Sequence, residues 1–242
     1  MNRIKGLAIV MIGCACASMS SAAPFLDDFS TDTSSAYVYS NSFNSGGSFE
    51  IAGGTLSITT GNDNTATVST VDPVPFGVGE SLGVDVEGIT SPEGVFLILG
   101  VAPGQPSAAE GGYRWRRDGV GGTGLRIQRN GTTIINGTDP ELASPATLWI
   151  DRLSSNTFEF LIQLEGEATR TSFGTDTHAT LDGIFDLHIG MQAFDNPGDT
   201  FAFDNLRIVR TASLAAVPEP SSMVIALLAG VAGVATLRRR IG

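Results

Sequence analysis

Between Ala23 and Ala212 the apolar positions recur with a period of two, and no helical period of useful length appears. Leu82, Val84 and Val86 alternate with Gly83, Asp85 and Glu87. That spacing predicts a strand with one buried and one wet face. Phe158, Phe160, Ile162 and Leu164 share one parity, with Glu159, Leu161 and Gln163 on the other. Val95 to Val101 is an unbroken apolar run, which predicts a strand covered on both faces. Asn130-Gly131, between Ile127 and Ile134, predicts a tight hairpin because both residues tolerate positive φ. Asn136-Gly137 predicts a second turn close behind. With 30 glycines as corners, the pattern yields roughly a dozen strands. Two antiparallel sheets packed face to face bury that many half-apolar strands most economically.

The last strand carries a register problem. Phe201 and Phe203 have one parity, Leu206 and Ile208 the other. A one-residue slip, a β-bulge around Asp204-Asn205, returns both pairs to the core face.

The two ends have a different pattern. Arg3 and Lys5 precede an apolar run from Gly6 to Ala17, followed by Ser20-Ser21-Ala22. This order predicts a secretory signal peptide over 1–22, cut after Ala22. Ile12-Gly13-Cys14 leaves open lipoprotein processing at Cys14. At the other end, a linker with Pro218-Glu219-Pro220 (213–222) leads into a hydrophobic helix and the cluster Arg238-Arg239-Arg240 (223–242). Fifteen apolar residues, Met223 to Leu237, make a helix of roughly 22 Å against a hydrocarbon core of about 30 Å, a marginal anchor. The arginines favour the cytoplasmic side, and the prolines keep the preceding motif extended. One domain, 23–212, lies between.

Composition narrows the functions. Ala23 to Val217 holds 9 arginines, no lysine and 24 carboxylates, leaving about −15. Such a chain offers no basic face for nucleic acid. Both cysteines, Cys14 and Cys16, fall in the signal, so the exported product has no disulfide. A domain of nearly 200 residues can bury a sufficient core without one.

The order of Pro-Glu-Pro, apolar helix and arginine cluster resembles the PEP-CTERM sorting tail of Gram-negative bacteria. The resemblance implies recognition by exosortase at the inner membrane, removal of the tail and delivery to the cell surface or extracellular matrix, in bacteria that make exopolysaccharide and biofilm. Phe25-Leu26-Asp27-Asp28-Phe29-Ser30, Leu148-Trp149-Ile150-Asp151-Arg152 leading to Phe158-Glu159-Phe160, and Phe203-Asp204-Asn205-Leu206-Arg207-Ile208 together resemble concanavalin A-like or laminin G-like domains. The expected fold is therefore an all-β, two-sheet antiparallel jelly-roll sandwich between a signal peptide and a sorting helix.

Candidate chemistry is sparse. Hydrolysis of a glycoside needs two carboxyl groups flanking the bond. Asp85/Glu87 and Glu165/Glu167 are the nearest same-parity pairs, and the Glu-x-Asp-x-x-Glu run of laminarinase-like enzymes is absent. His178 and His188 are too few for zinc. The jelly-roll resemblance raises a structural calcium shared by Asp27, Asp28 and Asp204. Polysaccharide binding calls for exposed aromatic faces beside polar groups; Tyr113, Trp115 and Arg116 form the candidate ligand site, with Tyr37 and Tyr39 a second same-face pair. Arg114, Arg116 and Arg117 face either the protein's own acids or an acidic polysaccharide. These readings favour a non-catalytic, polysaccharide-binding surface or matrix protein, with a secreted glycoside hydrolase and a structural adhesin as rivals.

Overall fold

A computed structural model describes residues 26–210 except 41–45, 62–64, 91–94, 105–111, 120–123, 140, 195 and 197. The signal peptide and sorting tail expected from the sequence lie outside the described residues. No helix among the described residues is long and apolar enough to cross a membrane.

Among the described residues sixteen strands, rather than a dozen, form two antiparallel sheets. The first sheet runs β14 (Thr171–Thr177), β13 (Thr157–Leu164), β12 (Ala146–Arg152), β7 (Glu80–Val86), β16 (Thr200–Arg210), β4 (Thr55–Thr59) and β3 (Ser48–Ala52), with β1 (Leu26–Asp27) also on β16. The second runs β11 (Thr132–Gly137), β10 (Gly124–Arg129), β9 (Tyr113–Asp118), β8 (Phe96–Ala102), β15 (Asp186–Phe194), β5 (Thr65–Thr70) and β2 (Tyr37–Ser40), with β6 (Val74–Pro75) also on β15. One apolar core fills the space between them, drawing on Leu82 and Phe160 from the first sheet and Leu99 and Trp115 from the second.

The period-two readings map directly onto these strands. Leu82, Val84 and Val86 are buried in β7, and Phe158, Phe160 and Ile162 in β13. Leu97 to Val101 in β8 are buried on both faces, as an unbroken apolar run requires. Asn130 (φ 50°) and Gly131 (φ 78°) turn the β10–β11 hairpin. The slip in β16 is also present: register shifts between Asp204 and Arg207 against β7, and Asn205 takes φ 48°. Phe203, Leu206 and Ile208 are consequently all buried.

The turn expected at Asn136-Gly137 is absent, because both residues belong to β11. Gly137 pairs with Leu125, and a Cβ there would lie 2.5 Å from the Phe173 ring. This glycine makes room for an aromatic side chain rather than for a reversal of the chain.

Trp149 shows how the outer face of the first sheet is closed. Its indole rests over Gly83, with the Arg170 and Arg207 guanidiniums 3.5 and 4.5 Å from its ring centre. Arg170 also pairs with Asp151 at 3.2 Å and Arg207 with Asp85 at 3.0 Å. The ring is spent on cation–π contacts within the protein and leaves little face for a ligand.

Candidate functional site

Strand alternation sends Tyr113 and Trp115 inward, and Arg114 and Arg116 to the outer face of the second sheet. Tyr113 and Trp115 are 1% and 0% exposed. Tyr113 donates to Asp176 at 2.7 Å, which together with burial raises its phenol pKa, and Trp115 Nε1 donates to the Leu161 carbonyl at 3.0 Å. Their ring faces pack in the core, so the aromatic platform expected at these positions is not available to a sugar. Tyr37 is likewise buried, with its hydroxyl on Asp27, and Tyr39 packs against the core. Arg117 also points inward. It pairs with Asp139 at 2.8 Å and donates to the Glu141 carbonyl, bracing loops rather than meeting solvent.

The outer face of the second sheet is recessed. Ser69, Ile98 and Gln192 point away from the core yet are 0%, 2% and 6% exposed. One row crosses five strands: Ser69 is opposite Gly190, Gly190 opposite Gly100, Gly100 opposite Arg114, and Arg114 opposite Gln128. The paired glycines leave a gap where other strands carry side chains. A small pocket there, about 20 Å³, is lined by Thr67, Ile98, Gly100, Ala102, Arg114 and Gln192 among others.

Three polar atoms of this row, Ser69 Oγ, Arg114 Nη2 and Gln128 Oε1, are buried without a hydrogen-bond partner. Buried polar groups are nearly always satisfied in folded proteins, so three orphans around one gap require an explanation. In the next row Arg116 and Arg126 share Asp118, at 3.2 and 3.0 Å. Burial, and then the neighbouring Arg116, push the Arg114 pKa down to about 10, which still leaves a cation at neutral pH. Gln192 and the glycine gap were missed by sequence reasoning. The available signal was two glycines inside apolar strands, Gly100 and Gly190, where a glycine marks a close approach.

The proposed calcium ligands lie at the β1–β16 pairing, where the charge of Asp28 reaches Asp204. Asp27 accepts from Tyr37 at 2.9 Å, Thr33 at 2.7 Å and the Phe29 N–H at 2.9 Å, so its carboxylate is occupied by hydroxyl and amide donors. Asp28 is exposed and accepts from the Ser30 N–H. Asp204 accepts from the Asn205 N–H; burial raises its pKa, and the charges of Asp85 and Asp28 push the same way. Among the described residues no three of His, Cys, Asp and Glu could hold a metal ion.

The carboxylate pairs are also placed for structure. Asp85 accepts from Thr147, Asn205 and Arg207, and Glu87 from the Ala202 N–H. Glu165 and Glu167 lie exposed around a turn. Asp85, Glu165 and Asp204 do line one groove, but its remaining walls are Val86, Pro145, Ala146 and Thr147, with no aromatic floor.

His188 hydrogen-bonds the Thr70 carbonyl at 3.0 Å. His178 is buried against Tyr113, with Nε2 3.1 Å from Asn130 Oδ1 and Nδ1 2.8 Å from Thr180 Oγ1. Burial, and then Arg129, lower its pKa, while Asp176 opposes. The unfolded chain therefore takes up this proton first as pH falls, so stability is whole above about pH 6.5 and drains below it. Denaturant midpoints should drop more steeply from pH 7 to pH 5 in the native protein than in His178→Gln. Equal slopes would contradict the assignment. The raised carboxyls Asp151 and Asp204 act oppositely, but in both proteins alike.

Residues 216–240 match the model of the PEP-CTERM protein-sorting motif. No curated protein matches the chain. Among solved structures, the metal-free lectin I-B4 of Griffonia simplicifolia is 13% identical, with a TM-score of 0.51 over 78% of this chain and 99% of that one. Lectin II of Ulex europaeus is 12% identical, with a TM-score of 0.52 over 77% and 97%. The exoplasmic/lumenal domain of VIP36, in its Ca2+/Man3GlcNAc-bound form, is 12% identical, with a TM-score of 0.51 over 72% and 84%. At such identities the likeness establishes fold. This chain thus carries a PEP-CTERM sorting motif at residues 216–240, and its described domain has the jelly-roll fold of these lectin structures.

Proposed function

We propose that this is an exported surface or extracellular-matrix protein, sorted by exosortase through Pro218, Glu219, Pro220 and the Arg238–Arg240 cluster, which binds polysaccharide without transforming it. The binding surface is the recessed outer face of the second sheet. The observation that carries this reading is the row of three unsatisfied polar atoms around the Gly100–Gly190 gap. Arg114 at the pocket's edge offers a donor to a ligand, and a floor without side chains lets a ring approach the backbone. The lectin-like fold supports the same reading. A hydrolytic role is disfavoured because Asp85 and Glu87 are held by structural hydrogen bonds.

The test is retention of the mature protein, purified from culture medium, on the producing bacterium's own extracellular polysaccharide. Gly100→Leu should reduce retention at least about tenfold, the equivalent of one or two lost hydrogen bonds to the ligand. A Cβ at position 100 would meet the Tyr113 carbonyl at 3.3 Å, a contact eased by small shifts, so the variant should fold. Equal retention of both proteins removes the proposed face. No retention of either, with intact fold, favours a structural adhesin.

A further inference from the structure

We propose that the ligand of this face is a carboxylated polysaccharide, whose carboxylate is held by Arg114 beside the glycine gap. The proposal rests on the polysaccharide-binding reading above and gives its ligand a charge.

Arg114 stands at the edge of the pocket, opposite Gly100, and its Nη2 is buried without a hydrogen-bond partner. Among the described residues it has no ion pair, whereas Arg116 and Arg126 share Asp118 at its other side. Arg114 thus stands beside the Arg116 guanidinium on a recessed surface, with no ion pair of its own among the described residues. Burying a cation without a counter-charge is costly, and the neighbouring Arg116 raises that cost. An incoming carboxylate relieves both effects, and the planar guanidinium matches it with paired N–H donors.

The rest of the chain sharpens the argument. With 24 carboxylates against 9 arginines between Ala23 and Val217, the protein repels a polyanion over most of its surface. A cationic recess within an acidic molecule therefore sets where and how such a polymer docks. Polar contacts flank the charge. Gln128 Oε1 is an unused acceptor on the strand beyond Arg114, and Ser69 Oγ lies across the gap. Three strand spacings separate the Ser69 and Arg114 backbones, about 14 Å. That span, floored by glycine, suits an extended sugar chain that brings its carboxylate to Arg114. The pocket itself is narrow, which fits a substituent entering it while the rings lie along the face.

The experiment compares the mature protein's affinity for the native extracellular polysaccharide, for the same polymer after chemical reduction of its carboxyl groups, and for dextran sulfate. Carboxyl reduction should weaken binding at least about tenfold, and Arg114→Gln should bind native and reduced polymer equally weakly. Arg114→Lys should recover part of the loss, because it restores charge without the fork. Thermal unfolding should be unchanged or slightly raised in Arg114→Gln, since a buried unpaired charge is gone. Equal binding of native and reduced polymer by the native protein overturns the carboxylate while leaving polysaccharide binding standing. Tighter binding of dextran sulfate than of native polymer also overturns it, as does unaltered affinity in Arg114→Gln. Failure to bind any of the three removes both readings.

Discussion

Replacing Arg152 with methionine is expected to destabilise the domain by about 3–5 kcal/mol, far beyond the loss of one exposed charge. The side chain ends β12 and is fully buried. Nη1 donates to the carbonyls of Phe76 and Ile184 at 2.8 and 2.7 Å, Nε to Ser154 at 3.3 Å, and Nη2 to Leu181 at 3.3 Å and to Ser155. Those carbonyls belong to the segments after β6, after β12 and before β15. One guanidinium thus pins three connections at one end of the sandwich, stacked over Phe185 at 4.5 Å. Burial lowers its pKa, with Asp182 opposing, so the carbonyls stabilise a cation that would otherwise be expensive to bury. Methionine fills a similar volume but removes every donor, leaving carbonyls in a dry site. For a domain of this size the melting temperature should fall by roughly 10 °C. Arg152→Lys should recover only part, because three donors on a flexible stem cannot reach all of these acceptors. Urea unfolding checks this, and a loss below about 1 kcal/mol would mean the loops stand without their brace.

Why some features were legible and others hidden follows from how far apart their causes lie in sequence. The parity of Leu82–Val86 and Phe158–Ile162 is a local signal, and burial on one face of a strand reads it out directly. The β16 bulge was legible for the same reason, since the parity break between Phe203 and Leu206 sits within a few residues. The Arg114/Arg116 face was also legible as alternation, but alternation alone cannot tell which face is inward. Here the aromatics of β9 took the core, where their large apolar area gains most, and the arginines took the recess. The glycine gap depends on Gly100 and Gly190 becoming neighbours across ninety residues of chain. Asn136-Gly137 misled in the opposite way: the dipeptide fits a turn, but Phe173, from a strand of the other sheet, decided its use.

Trp115→Ala is the second substitution with a large expected effect, and it bears on how binding experiments are read. The indole is fully buried, 5.0 Å from Phe173 and 6.1 Å from Phe160 between ring centres, and it satisfies the Leu161 carbonyl. Truncation to alanine opens a cavity and removes that hydrogen bond, at a cost of about 3–5 kcal/mol. Polysaccharide binding should then be lost only as the protein unfolds, with denaturant raising the loss in step with circular dichroism. Trp115→Phe retains most of the packing and gives up the indole hydrogen bond, so it should fold and bind the native polymer as the unaltered protein does. The contrast separates two roles. If Trp115→Phe is fully folded yet binds tenfold more weakly, the ring contacts ligand and the recess is not the binding surface. If binding follows stability across both variants, Trp115 acts through the core, and ligand contact belongs to the face that Arg114 shares with the two glycines.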